Sequence, residues 1–233
     1  MKRFFDPDLF WRTYRDPLSW LTLLVDLLPV TAVILFGWSA VPLVALYWLE
    51  NLIIGAFTIL RMLGTVAANV VNLAMALFMV PFFTVHYGMF CFGHGIFLRA
   101  FAGGGSGGSD APGYDGMRSL VEWALGTGPH MMWFVTAIIA VNGVFFLVDF
   151  VLRGGYREAQ LPVEMFAPYG RIVTLHVAII LGAGLMLALG QPLLGVLILI
   201  VLRVAFGMAL NMLRRRRIDG EGSAVLNAVA EAG

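Results

Sequence analysis

Six apolar runs of bilayer length organise the chain, near Leu18–Trp38, Ala40–Leu60, Leu73–Leu98, Met131–Leu152, Ile172–Gly190 and Leu193–Leu213. Each has the ~20 residues that a helix needs to cross a ~30 Å hydrocarbon core. A spanning segment must satisfy its own backbone polar groups, so helices are the expected elements. The pattern therefore predicts an all-α, polytopic membrane bundle of six transmembrane helices, occupying 18–213. Residues 1–17 precede it and a basic then polar tail, 214–233, follows.

Composition agrees with the pattern. Apolar residues make up 60% of the 233 and charged residues 12%, against about 25% charged in a soluble domain. Mean hydropathy is +0.88. A net charge of +1 gives no case for nucleic acid, and the lipid bilayer is the first partner implied. A second copy or another membrane subunit is the protein partner class this composition leaves open. The single cysteine, Cys91, rules out an intramolecular disulfide framework. The first apolar run is too long for a cleavable leader, and no convincing cleavage site follows it.

The arginines orient the bundle. With the N-terminus inside, Lys2, Arg3, Arg12, Arg15, Arg61, Arg153, Arg157, Arg171 and the four residues Arg214 to Arg217 all lie on the inner side. Only Arg99 and Arg118 lie outside, and Arg203 falls within the last run. Positive charge marks the cytoplasmic side, so both termini are expected there.

Shorter segments fill in the connections. Asp6-Pro7 reads as a helix start, and the aromatic residues between Lys2 and Arg15 fit a helix lying at the inner interface. The outer loop, 99–130, holds a flexible Gly/Ser tract at Gly103–Gly108. It also holds a segment from Asp115 whose Met117, Leu120, Val121 and Ala124 share one helical face and which stops near Gly126. The residues from Arg153 to Gly170, with Pro162 and Pro168, read as a cytoplasmic connector.

Polar groups inside the runs carry the candidate chemistry, because a charge in the bilayer costs roughly 3 kcal/mol on insertion scales and is usually compensated. Glu50 and Asn51 interrupt the second run; His86, Cys91 and His94 interrupt the third. At ~1.5 Å per residue, Glu50, His86 and Arg203 fall ~15–18 Å deep, near one midplane level. Asp149 and His176 come within ~8 Å of the inner face. Cys91, His94 and His130 lie toward the outer face, and Asp26 between the inner and middle levels. Asp149 has Arg153 at i+4 as a ready partner. The set Asp26, Asn51, Asp149 and Arg203 reads as a polar relay or as ion pairs, with Glu50–Arg203 a candidate pair.

The set Glu50, His86, Cys91, His94 and His176 reads as a candidate metal centre. Met89 shares a face with His86, Met75 and Met79 lie on the same run, and thiolate, thioether and imidazole together suit copper or zinc. His86 and His94, eight residues apart, are separated by ~12 Å on a straight helix, so sharing one ion needs a helix break. The Gly-Lys-Ser/Thr of a phosphate-binding loop and the His-Glu-x-x-His of zinc proteases are both absent, so no catalytic residue is assigned.

At Tyr47-Trp48-Leu49-Glu50-Asn51 and at His86-Tyr87-Gly88-Met89-Phe90-Cys91-Phe92-Gly93-His94-Gly95 the chain resembles a family of small bacterial membrane proteins. That family is domain of unknown function 6498. The likeness covers nearly the whole chain, including the later run with His176 and the basic end of the last run. It implies a multi-pass protein of the bacterial inner membrane, with Glu50, Asn51, His86 and His94 as its signature and no assigned role. Three functions stay open at this point. They are ion, proton or metal handling; a metal-centred membrane enzyme; and an assembly subunit whose polar residues only hold helices together.

Overall fold

A computed structural model of the chain describes residues 17–68, 72–102, 116–170, 172–173 and 201. Its regular elements are all helical among the described residues. Helix α1 is Pro17–Phe36, α2 Ala40–Ala68, α3 Asn72–Ala102 and α4 Gly116–Leu125. Helix α5, Met131–Phe145, runs straight on into π-helical turns at Phe146–Leu152. Two short helices follow, α6 (Gly155–Glu158) and α7 (Leu161–Phe166).

Among the described residues, three stretches are long and apolar enough to cross a membrane: Ala40–Ala67, Asn72–Ala100 and Met131–Leu152. They coincide with the second, third and fourth predicted runs. Helix α1 coincides with the first, and its described apolar part is Leu27–Phe36. The fifth and sixth runs, with His176 and Arg203, lie outside the described residues apart from 172–173 and 201. The N-terminal segment, the Gly/Ser tract and the tail lie outside them too.

Helix α2 is the axis of the bundle, in contact with every other described element. In its most apolar 18-residue window 56% is buried by protein, against 17% for α3 and 11% for α5. The outward faces of α3 and of α5 with its π-helical turns carry Phe78, Val85, Trp133 and Leu147, all exposed, as lipid-facing surfaces require. Among the described residues, Thr58, Thr65, Glu50 and Asn51 are the buried polar ones, and all four belong to α2. Polar groups are thus concentrated on the one helix that protein surrounds.

Helices α2 and α3 pack closely because two glycines remove side chains where large rings lie. A Cβ at Gly55 would sit 2.6 Å from the Tyr87 ring, and one at Gly95 would sit 2.7 Å from the Trp48 indole. Both helices run past the predicted span ends. Helix α2 continues through Arg61 to Ala68, because the Arg61 charge is met by Glu164 on α7. At the far end of the bundle α4 matches the segment expected there. Its Leu120 and Ala124 are buried, and Gly126 N–H closes the helix on the carbonyls of Glu122 and Trp123.

The residues after Arg153 depart from the expected loop. Leu161, Met165 and Ile172 are buried in one cluster with Met62, Ala76, Phe83, Tyr87 and Cys91. The connector is therefore a docked element lying along the Arg61-bearing halves of α2 and α3. The physical reason is legible afterwards: Leu161, Met165 and Pro168 fall on one side of the turn and are buried, while Glu158, Pro162 and Val163 stay outside.

Candidate functional site

Contacts between α2 and α3 set the heights of the polar groups. The Trp48 Nε1–H donates to the Cys91 carbonyl at 2.7 Å, and the Tyr87 hydroxyl donates to the Asn51 carbonyl at 3.0 Å. Glu50, 2% exposed, thus sits level with Cys91. His86 is five residues further along α3, about 7 Å by helical rise, toward the Arg61 end. The single midplane level expected for Glu50 and His86 resolves into two neighbouring rungs.

The upper rung is built around Trp48, Glu50, Asn51, Tyr87 and Cys91, all buried. Trp48 fills the space that Gly95 leaves, and its N–H takes a carbonyl already inside the α3 ladder. Cys91 is enclosed by protein. His94 turns back on its own helix, its Nδ1 2.6 Å from the Phe90 carbonyl. Among the described residues no group of three His, Cys, Asp or Glu side chains could hold a metal ion. His176, the fifth member of the candidate metal set, lies outside them.

The lower rung joins α3 to the docked connector. His86 Nδ1 and the Tyr169 hydroxyl share a hydrogen bond at 3.2 Å. The imidazole also lies between the rings of Phe82 and Phe90, at 5.3 and 5.2 Å. Spacing of four residues makes Phe78, Phe82, His86, Phe90 and His94 one continuous stack of rings along α3. Burial raises the Tyr169 phenol above its ordinary range, so it stays a neutral hydroxyl at physiological pH.

Below these lies an ion pair that the sequence reading did not pick out. Arg61 grips Glu164 with two bonds, Nε at 2.6 Å and a terminal nitrogen at 3.0 Å. Its guanidinium also stands 4.7 Å from the centre of the Phe150 ring. Such a forked, partly buried pair with a cation–π contact has the geometry that makes an ion pair count. Phe150 reaches this position from the π-helical turns, and its ring presses on α2 at Gly64, where any side chain would collide with it. A signal for the pair existed: Glu164 is the acidic residue nearest the buried Leu161 and Met165. Nothing in linear spacing joins it to Arg61, 103 residues away.

The remaining candidates separate. Asp149 lies in the π-helical turns and pairs with Arg153 at 3.7 Å, as the i+4 spacing predicts. Asp26 is on α1, and Arg203 is outside the described residues. His130 takes a left-handed conformation (φ 60°) at the start of α5, exposed and against the Phe36 ring.

Among the described residues, three helices long and apolar enough to span a membrane, one of them holding the buried polar groups, have the make-up of a helical membrane protein. The model of DUF6498, a family of unknown function, matches residues 9–224, and the chain belongs to that family. No curated protein and no solved structure matches the chain.

Proposed function

We propose that the protein is a six-span protein of the bacterial inner membrane, both termini cytoplasmic, that carries protons or small cations through its polar axis. The observation behind this reading is Glu50, 2% exposed beside Asn51 at 5%, on the helix that every other described element packs against. A carboxyl in a membrane-spanning helix costs roughly 3 kcal/mol on insertion scales and by default marks a functional group. The rungs at Glu50 and His86, with Arg61 and Glu164 beyond them, descend toward one end of the bundle. That end is the cytoplasmic one if most arginines are inside.

Reporter fusions test the frame. Fusions after Gly107 should report the outer side, and fusions after Gly154 and at Gly233 the inner side. An inner signal at Gly107 would break the six-span arrangement.

Flux tests the activity. In vesicles holding a pH-sensitive dye and a valinomycin-clamped potassium gradient, the purified protein should admit protons faster than protein-free vesicles. Glu50→Gln should return the rate to the protein-free level. Equal rates with and without protein, for protons and for sodium or potassium, would remove this reading. Elemental analysis of the same samples weighs the metal reading of Glu50, His86, Cys91, His94 and His176. About one copper or zinc per chain, lost in His86→Ala or His94→Ala and kept in His130→Ala, would favour it instead.

A further inference from the structure

Helices α6 and α7 span four and six residues, far below the length at which a helix holds by itself. They keep their place only through what they dock on. Among the attachments are Leu161 and Met165, in one buried cluster with Cys91, the Arg61–Glu164 fork, the hydrogen bond between Tyr169 and His86, and the Tyr169 ring against Phe83 and Tyr87. One break in the helix marks the start of the element and a second lies inside it. Gly154 is left-handed, with φ 77°, and Ala159 and Gln160 are extended between α6 and α7. Short helices, a glycine at the hinge and two discrete polar contacts are the makings of a segment that opens as a unit, below the free energy of global unfolding.

We propose that residues 155–170 form a plug, hinged at Gly154, that closes the Arg61 end of the polar interior and opens when Arg61 and Glu164 part. This rests on the proposed function for its purpose, since the plug would admit protons or cations from the cytoplasmic side to the His86 rung. Its motion can be read without any transport. The plug's own Leu161 and Met165 belong to the same buried cluster as Cys91. Cys91 is the chain's one cysteine, so a thiol reagent reports opening at a single place.

The experiment uses the full chain in detergent, with N-ethylmaleimide as the probe and mass spectrometry as the readout, alongside the thermal midpoint. Glu164→Gln removes the Arg61–Glu164 ion pair and keeps the side chain's size. It should speed labelling of Cys91 about tenfold, the factor that 1.4 kcal/mol corresponds to, with an unchanged midpoint. Tyr169→Phe, which keeps every ring contact and drops only the hydroxyl, should also speed it. Glu122→Gln, which opens the exposed Arg118–Glu122 pair at the other end of the bundle, should not.

Parent-like labelling in both Glu164→Gln and Tyr169→Phe would overturn the plug. So would equal acceleration in Glu122→Gln, or acceleration matched by a falling midpoint, since either means general loosening. If Glu164→Gln does not fold, Tyr169→Phe decides alone. A failed flux assay with accelerated labelling would remove the proposed function and leave the plug standing.

Discussion

Trp48→Ala should cost about 3 kcal/mol of stability, the low end of the range for removing a buried large aromatic. Trp48 is fully buried, its indole occupies the space over Gly95, and its N–H is bonded to the Cys91 carbonyl. Deletion leaves a cavity between α2 and α3 at the most crowded point of their contact. The lost dispersion and the lost hydrogen bond carry the effect. Lipid is as apolar as the helix interface, so the water-transfer part of the usual penalty is absent. That is why the low end is expected. Trp48→Phe should cost less, because the ring still fills part of the space. Trp133→Ala is the control: Trp133 is 75% exposed and should change stability by under about 0.5 kcal/mol. Unfolding in mixed detergent, followed by far-ultraviolet circular dichroism, measures all three. Similar losses at Trp48 and Trp133 would mean that the α2–α3 contact does not hold the bundle.

Period and length made the helices legible, and they made the site only half legible. The runs at Ala40, Leu73 and Met131 became α2, α3 and α5 because bilayer-length apolarity admits few other structures. The face Met117, Leu120, Val121 and Ala124 became α4 for the same kind of reason: its period matches one helical side. Glu50 and His86 could be seen as costly, yet their relative height could not. That height depends on how α2 slides along α3, which Gly55 and Gly95 fix through ring contacts that no spacing encodes. The connector reads as a loop from the sequence because Pro162 and Pro168 suggest turns and it carries both charge signs. Docking buries Leu161 and Met165 one by one, without a period long enough to notice. Arg61 marked a span end by charge alone, whereas Glu164 neutralises it and lets α2 continue.

Glu50→Gln should fold with stability within about 1 kcal/mol of the parent while losing proton flux. Two roles for Glu50 make opposite demands here. As the partner of Arg203, which lies outside the described residues, the carboxylate would balance a cation in the bilayer. Removing one member of such a pair costs about 3–5 kcal/mol, because the other charge stays behind. Arg203→Met would then be as harmful as Glu50→Gln, and the double variant would recover much of the loss. As a proton carrier, the side chain must instead exist neutral as well as ionised. Glutamine copies the neutral form in shape and hydrogen bonding, so the fold tolerates it and the carrier function ends. The carrier role is favoured because Asn51 and Tyr87 add polar groups at this rung, where a lone ion pair would need none. Thermal midpoints for Glu50→Gln, Arg203→Met and the double variant decide between the two. A large loss in either single variant that the double restores would make Glu50 a structural partner and end its role as a carrier.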